Sequence, residues 1–151
     1  MTLSRRLLIS AALPSVVVAG LVAGTGAASA NVAVTQVSSD PFTDAQAQHK
    51  TEVEPDTFTF GNTIVSAFQT GRVSGGGSSN IGFVTSTDGG ATFSSGFLPA
   101  STGNTGGPCA AASDAAVAFD SRHNVWLISW LGVNCPNTPV FTSRSTDGGL
   151  H

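Results

Sequence analysis

The sequence predicts an all-β chain: a partial β-propeller of about two four-stranded antiparallel blades, the second incomplete, behind an N-terminal signal peptide. Three observations carry this. The segment Ser86-Thr87-Asp88-Gly89-Gly90 recurs as Ser145-Thr146-Asp147-Gly148-Gly149, fifty-nine residues on, a period that suits one four-stranded blade and is too long for a coiled coil or collagen. Short runs rich in β-branched and aromatic residues alternate with clusters of Gly, Asn, Asp and Ser, the composition of strands and turns. Outside the first thirty residues no run keeps a helical period.

Residues 1–30 read as an export signal. Arg5 and Arg6 supply the positive end, Leu7 to Val22 the apolar stretch, and Ala28-Ser29-Ala30 a small-residue cleavage site, so processing is expected after Ala30. Ser4-Arg5-Arg6-Leu7-Leu8 suits either general secretion or the twin-arginine route. Pro14 and the small residues at the cleavage site argue against an uncleaved anchor, so no stable membrane attachment is expected after processing. The exported part holds four basic residues, Lys50, Arg72, Arg122 and Arg144, against nine carboxylates. With an acidic balance and no basic patch, nucleic acid is not an expected partner.

The segment 31–50 is a polar lead-in, and 51–151 holds the blades. The first blade is expected to place strands at about Thr57–Phe60, Thr63–Gln69, Asn80–Ser86 and Thr92–Phe97. Gly61-Asn62 turns the first pair and the Gly-rich loop Thr70–Ser79 the second. That loop has neither the Gly-Lys-Ser/Thr ending nor the following helix of a phosphate-binding loop. Between strands three and four comes the first repeated turn. Its glycines reach positive φ without a Cβ penalty, and its Ser and Asp side chains accept backbone N–H bonds. Pro99 to Ala112 crosses to the second blade, whose strands are expected at Ala115–Phe119, Val125–Leu131 and Pro139–Ser145, before the second turn.

Two cysteines, Cys109 and Cys135, lie in the exported part, where disulfides persist. If Phe119 pairs with Val125 across the turn Asp120–Asn124 and that register continues, Cys109 faces Cys135. A pair of free thiols is the rival, and no third or fourth metal ligand stands at suitable spacing. In this register Val117, Phe119, Val125, Leu127 and Leu131 share one face, and Ala116, Ala118, Trp126, Ile128 and Trp130 the other. Both are apolar, as expected of a blade packed between two neighbours. No metal or other cofactor is expected, and His49 and His123 read as surface residues.

The pattern Ser-x-Asp-x-Gly-x-Thr-Phe resembles the Asp-box, or bacterial neuraminidase repeat, of sialidase-like β-propellers. The first copy matches at Ser86, Asp88, Gly90, Thr92 and Phe93. The second matches at Ser145, Asp147 and Gly149 and has His151 in place of Thr. The stretch His49 to Leu131, with Glu54-Pro55-Asp56, Ile64-Val65, Gln69-Thr70-Gly71-Arg72, Ser113-Asp114 and Val125-Trp126-Leu127-Ile128, resembles secreted bacterial proteins of the sialidase family. The resemblance implies an N-terminal portion of a longer secreted propeller whose partner is a glycan or glycoconjugate. It implies exo-acting hydrolysis of terminal sialic acids or related sugars, with a non-catalytic glycan- or protein-binding propeller as the alternative.

In such propellers the substrate lies on the face opposite the Asp-boxes. Asp88 and Asp147 are then structural turn residues, and the candidates opposite are Glu54 and Asp114 for acid–base chemistry and Arg72 and Asp56 for substrate binding. Glycoside hydrolysis needs a carboxyl group to protonate the leaving oxygen, whereas sialidases use a tyrosine nucleophile and clamp the substrate carboxylate with three arginines. This chain has no tyrosine, and only Arg72 is expected on that face.

Overall fold

The computed structural model describes residues 33–151 except 136 and 138; the expected export signal and its cleavage position lie outside the described residues. Among the described residues seven strands form, all antiparallel to their neighbours: β1 (Ala47–Phe60), β2 (Thr63–Val73), β3 (Ser78–Ser86), β4 (Ser94–Phe97), β5 (Ala111–Asp120), β6 (Val125–Val133) and β7 (Val140–Ser145). A single 3-10 turn, Gly103–Thr105, interrupts the crossing between β4 and β5. The strands make two up-and-down meanders, β1-β2-β3-β4 and β5-β6-β7, whose sheets join at one residue pair, Ser78 with Ala112. The sheet is not closed.

Each expected strand forms, with corrections at the ends. β1 starts at Ala47, well before Thr57, because β2 continues to Val73 and offers it partners as far as Ala47. β4 starts at Ser94 and not Thr92, because Asp88 holds both the N–H and the hydroxyl of Thr92 within the turn.

The second hairpin is offset by one residue at its tip. Asp120, not Phe119, pairs with Val125, and Phe119 pairs with Trp126. The Asp120 carboxylate accepts the N–H groups of Arg122 and His123 at 3.0 and 3.2 Å, which closes a four-residue loop. Paired residues share a face, so Trp126 and Ile128 join Phe119 and Val117. The expected division between those two sets is therefore wrong.

A bulge between Ser113 and Ala116 then removes one residue from the count, so that Ala111, Ala112 and Ser113 pair with Val133, Gly132 and Leu131. The cysteines face one another after all, and Cys109 and Cys135 form a disulfide with Cα atoms 4.4 Å apart.

The core lies between the meanders. Val65, Ala67 and Ile81 from the first meet Val117, Trp126, Ile128 and Trp130 from the second. The rings of Phe60 and Phe119 stand 4.4 Å apart, and Phe119 lies 4.8 Å from Trp126. Aromatic pairs at such separations add about 0.5–1.5 kcal/mol beyond their buried area. No helix among the described residues is long and apolar enough to cross a membrane.

Candidate functional site

The two repeated turns share the same Ser–Asp–Gly hydrogen bonds. Ser86 Oγ accepts the Gly90 N–H at 2.8 Å and donates to Asp88 at 2.8 Å; Ser145 Oγ accepts the Gly149 N–H at 2.9 Å and donates to Asp147. Asp88 accepts the Thr92 N–H at 2.9 Å and its hydroxyl at 2.6 Å. Asp147 accepts the His151 N–H at 3.2 Å, and a ring nitrogen of His151 lies 2.8 Å from its second oxygen. The imidazole thus takes the place of the threonine hydroxyl. Gly149 packs on Val65 and Trp126, and the Thr85 hydroxyl donates to its carbonyl, tying the second turn to the first meander.

These bonds hold both carboxyls well below the usual aspartate range, through the Thr92 hydroxyl and N–H at Asp88 and the Ser145 hydroxyl and His151 at Asp147. A carboxylate whose folded pKa is depressed contributes stability above its unfolded value of 3.8 and loses it as pH falls through the folded value. Both side chains are therefore expected to remain charged at about pH 3. A carbon-13 titration of the carboxyl carbons checks this, and midpoints at the ordinary aspartate value would contradict it.

The four candidates come from β1, β2 and β5. A row of paired residues, Gln48–Arg72–Ser78–Ala112–Gly132, runs across five strands and crosses β3 at the end opposite its repeated turn. Glu54 and Asp114 lie inside strands and not in the loops before them. Each sits at a β-bulge with positive φ, 54° and 51°, six residues before the end of its strand. Such a backbone costs about 1–2 kcal/mol for a residue with a Cβ. Both residues are exposed, and Glu54 accepts a hydrogen bond from the buried Gln69 amide.

Arg72 is exposed, its guanidinium donating to Gln48 at 3.4 Å and its N–H to Thr51 at 2.8 Å. Among the described residues it forms no ion pair with a carboxylate. Asp56 is engaged elsewhere: its carboxylate accepts the Val117 N–H at 2.6 Å, which links β1 to β5 across the meanders. Among the described residues no group of three His, Cys, Asp or Glu side chains could hold a metal ion.

Sequence reasoning missed the residues that support this region. Gln69 and Gln48 hold Glu54 and Arg72. Asn80, fully buried, bonds the Leu98 carbonyl, Thr105, Ser101 and the Ile81 N–H, which pins the crossing to β3. The Thr102 hydroxyl and the Asn104 amide both donate to the Ser79 carbonyl. A signal existed: an Asn at the start of an apolar run, followed by a Ser- and Thr-rich crossing, can satisfy a buried polar network.

No family model matches the chain, and no curated protein matches it. A solved structure of a "putative glycoside hydrolase" from Parabacteroides distasonis ATCC 8503 is similar at a TM-score of 0.45 and 19% identity, over 67% of this chain and 31% of that one. The chain thus spans about a third of the length of that protein, and a likeness at this level assigns no chemistry. The described residues form an all-β antiparallel assembly of two meanders, with one disulfide that ties the crossing before β5 to the loop after β6.

Proposed function

We propose that residues 51–151 form the first blades of a secreted, sialidase-like β-propeller, behind a signal at 1–30 and a lead-in at 31–50. The protein they belong to is read as an exo-acting glycoside hydrolase on terminal sialic acids or related sugars. One observation carries the reading: the two turns repeat the same Ser–Asp–Gly hydrogen bonds at the ends of the third strands of successive meanders. In this reading they are Asp-boxes, and Asp88 and Asp147 shape the scaffold. Glu54 and Asp114, at equivalent bulges, project carboxylates toward the substrate face, and Arg72 supplies one guanidinium for a carboxylate on the sugar. The tyrosine and the two further arginines of a sialidase site belong to other blades.

The alternative, a glycan-binding propeller without turnover, is favoured by one specific observation: Glu54 and Arg72 are each held by a glutamine amide. A panel of fluorogenic α-sialosides and related glycosides, run on the secreted protein beside a glycan array, separates the two. The hydrolase reading expects turnover that Glu54→Gln lowers by about 100-fold or more, the usual contribution of a general acid or base. The binding reading expects array retention, lost on Arg72→Ala, with no turnover. A protein with neither property overturns both.

A further inference from the structure

We infer that Asp147–Gly148 is a site of spontaneous backbone isomerisation and that the like pair Asp88–Gly89 is guarded against it. An aspartate followed by glycine rearranges without a reagent, because no Cβ hinders the glycine nitrogen. That nitrogen bonds to Cγ of the protonated carboxyl, its hydrogen and the carboxyl OH leave as water, and a five-membered succinimide forms. Water then adds to either imide carbonyl. Where the bond from nitrogen to the original backbone carbonyl breaks, the chain continues through Cγ as isoaspartate, with no net change in composition. Both aspartates are exposed, so water reaches either ring.

The two sites share the pentapeptide Ser-Thr-Asp-Gly-Gly. Each carboxylate is held by the serine hydroxyl and by the N–H four residues on. Such bonds favour the ionised form, whose oxygen leaves poorly, and so they slow both sites. The glycine nitrogens differ. The Gly89 N–H donates to the Asn62 carbonyl at 2.9 Å, a bond the first site must break before its nitrogen attacks. Among the described residues no backbone carbonyl accepts the Gly148 N–H. The cause lies in the neighbouring hairpin tip. Two residues join Phe60 to Thr63, and four join Asp120 to Val125. Asn124 stands two residues before Trp126, the partner of Ser145, as Asn62 stands two before Ile64, the partner of Ser86. Asn124 takes φ 54° and Asn62 has no positive φ, so the two tips direct their backbone groups differently.

The product lengthens the second turn by one backbone atom and moves the carboxylate away from Ser145. That unseats Gly149, which packs on Val65 and Trp126 and whose carbonyl accepts the Thr85 hydroxyl. Isomerised Asp147 therefore loosens the joint between the meanders. The inference rests on the hydrogen bonds of the two turns and not on the hydrolase reading.

The test ages the full chain at neutral pH and counts isoaspartate at each site by peptide mapping with electron-transfer fragmentation. Asp147 is expected to accumulate it about fivefold faster than Asp88, the factor that one neutral hydrogen bond supplies. In denaturing urea the two rates are expected to converge, because the pentapeptides are identical. His151→Thr, which gives Asp147 the hydroxyl partner that Asp88 has, is expected to keep the gap. Replacing residues 121–124 with the Gly-Asn turn of the first meander is expected to close it. A melting curve reports whether that variant folds, and the other comparisons decide the matter if it does not. Equal rates in the folded chain, faster reaction at Asp88, or a gap that persists in urea overturns the proposal. So does a gap that His151→Thr closes, since the imidazole and not the glycine N–H then sets the rate. The isoaspartyl fraction is expected to melt below the fresh protein, and coincident curves overturn the loosening of the joint.

Discussion

Replacing both cysteines, Cys109→Ser with Cys135→Ser, is expected to destabilise the fold by about 3–4 kcal/mol, the chain-entropy value for a loop of about 27 residues. Total stabilities of about 5–15 kcal/mol are usual for a domain, so the loss is a large fraction. It corresponds to a fall in melting temperature on the order of 10–20 °C. The structure adds a packing contribution, because Cys109 is only 2% exposed and its sulfur, like the Phe141 ring, lies against Gly132. Melting with and without reductant, beside thiol labelling, checks the prediction. Two labelled thiols in the untreated protein would contradict the bridge, and an unchanged melting temperature would contradict its weight.

The two repeated turns are expected to respond unequally to the same substitution. Gly90 and Gly149 occupy equivalent positions with φ near 94° and 82°, so alanine strains either by about 1–2 kcal/mol. At Gly90 the nearest atom to an added Cβ is Ile64 Cδ1 at 3.5 Å, ordinary contact. At Gly149 it is Val65 Cγ2 at 2.7 Å, and Val65 is 1% exposed in the core between the meanders. Overpacking such a site costs about a further 1–3 kcal/mol. Gly149→Ala should therefore lose about 2–5 kcal/mol and Gly90→Ala about 1–2. Combining Gly149→Ala with Val65→Ala should cost less than the two separate losses summed, since the truncated side chain makes room. Urea melts of the four variants check this. Equal losses at the two glycines would mean that the second turn does not bear on the first meander.

Much of the strand content was legible because the signals were local. Gly61-Asn62, the Gly-rich tip at residues 75–77 and the Ser-Thr-Asp-Gly-Gly turns punctuate runs such as Ile64–Phe68 and Val125–Leu131, and each run became a strand. The turn chemistry was legible for the same reason: its partners lie within five residues. Register was not. Asp120 looks like a loop residue, yet its backbone pairs with Val125 while its carboxylate caps the loop. The bulge at Asp114 then restores the alignment of the cysteines, so the expected bridge forms although the expected tip register does not.

The candidate residues divide along the same line. The sequence pointed to Glu54, Asp56, Arg72 and Asp114 by type and position, but not to their surroundings. Glu54 and Asp114 are sixty residues apart, one more than the turns, and their neighbours differ, so their equivalence as bulge residues appears only when β1 and β5 stand side by side. Asp56 was a candidate for substrate binding, yet its carboxylate is engaged by a backbone N–H sixty-one residues away.

From its own residues the chain determined an antiparallel β architecture, two like turns and a cysteine pair placed to meet. These follow from conformational preferences of Gly, Asp, Ser and β-branched residues, which act over a few positions. Only the folded structure decided which faces of the meanders meet and how Thr85 and Val65 receive the second turn. Those outcomes depend on packing between segments sixty or more residues apart, where shape and hydrogen-bond phase select among arrangements that local preference leaves equal.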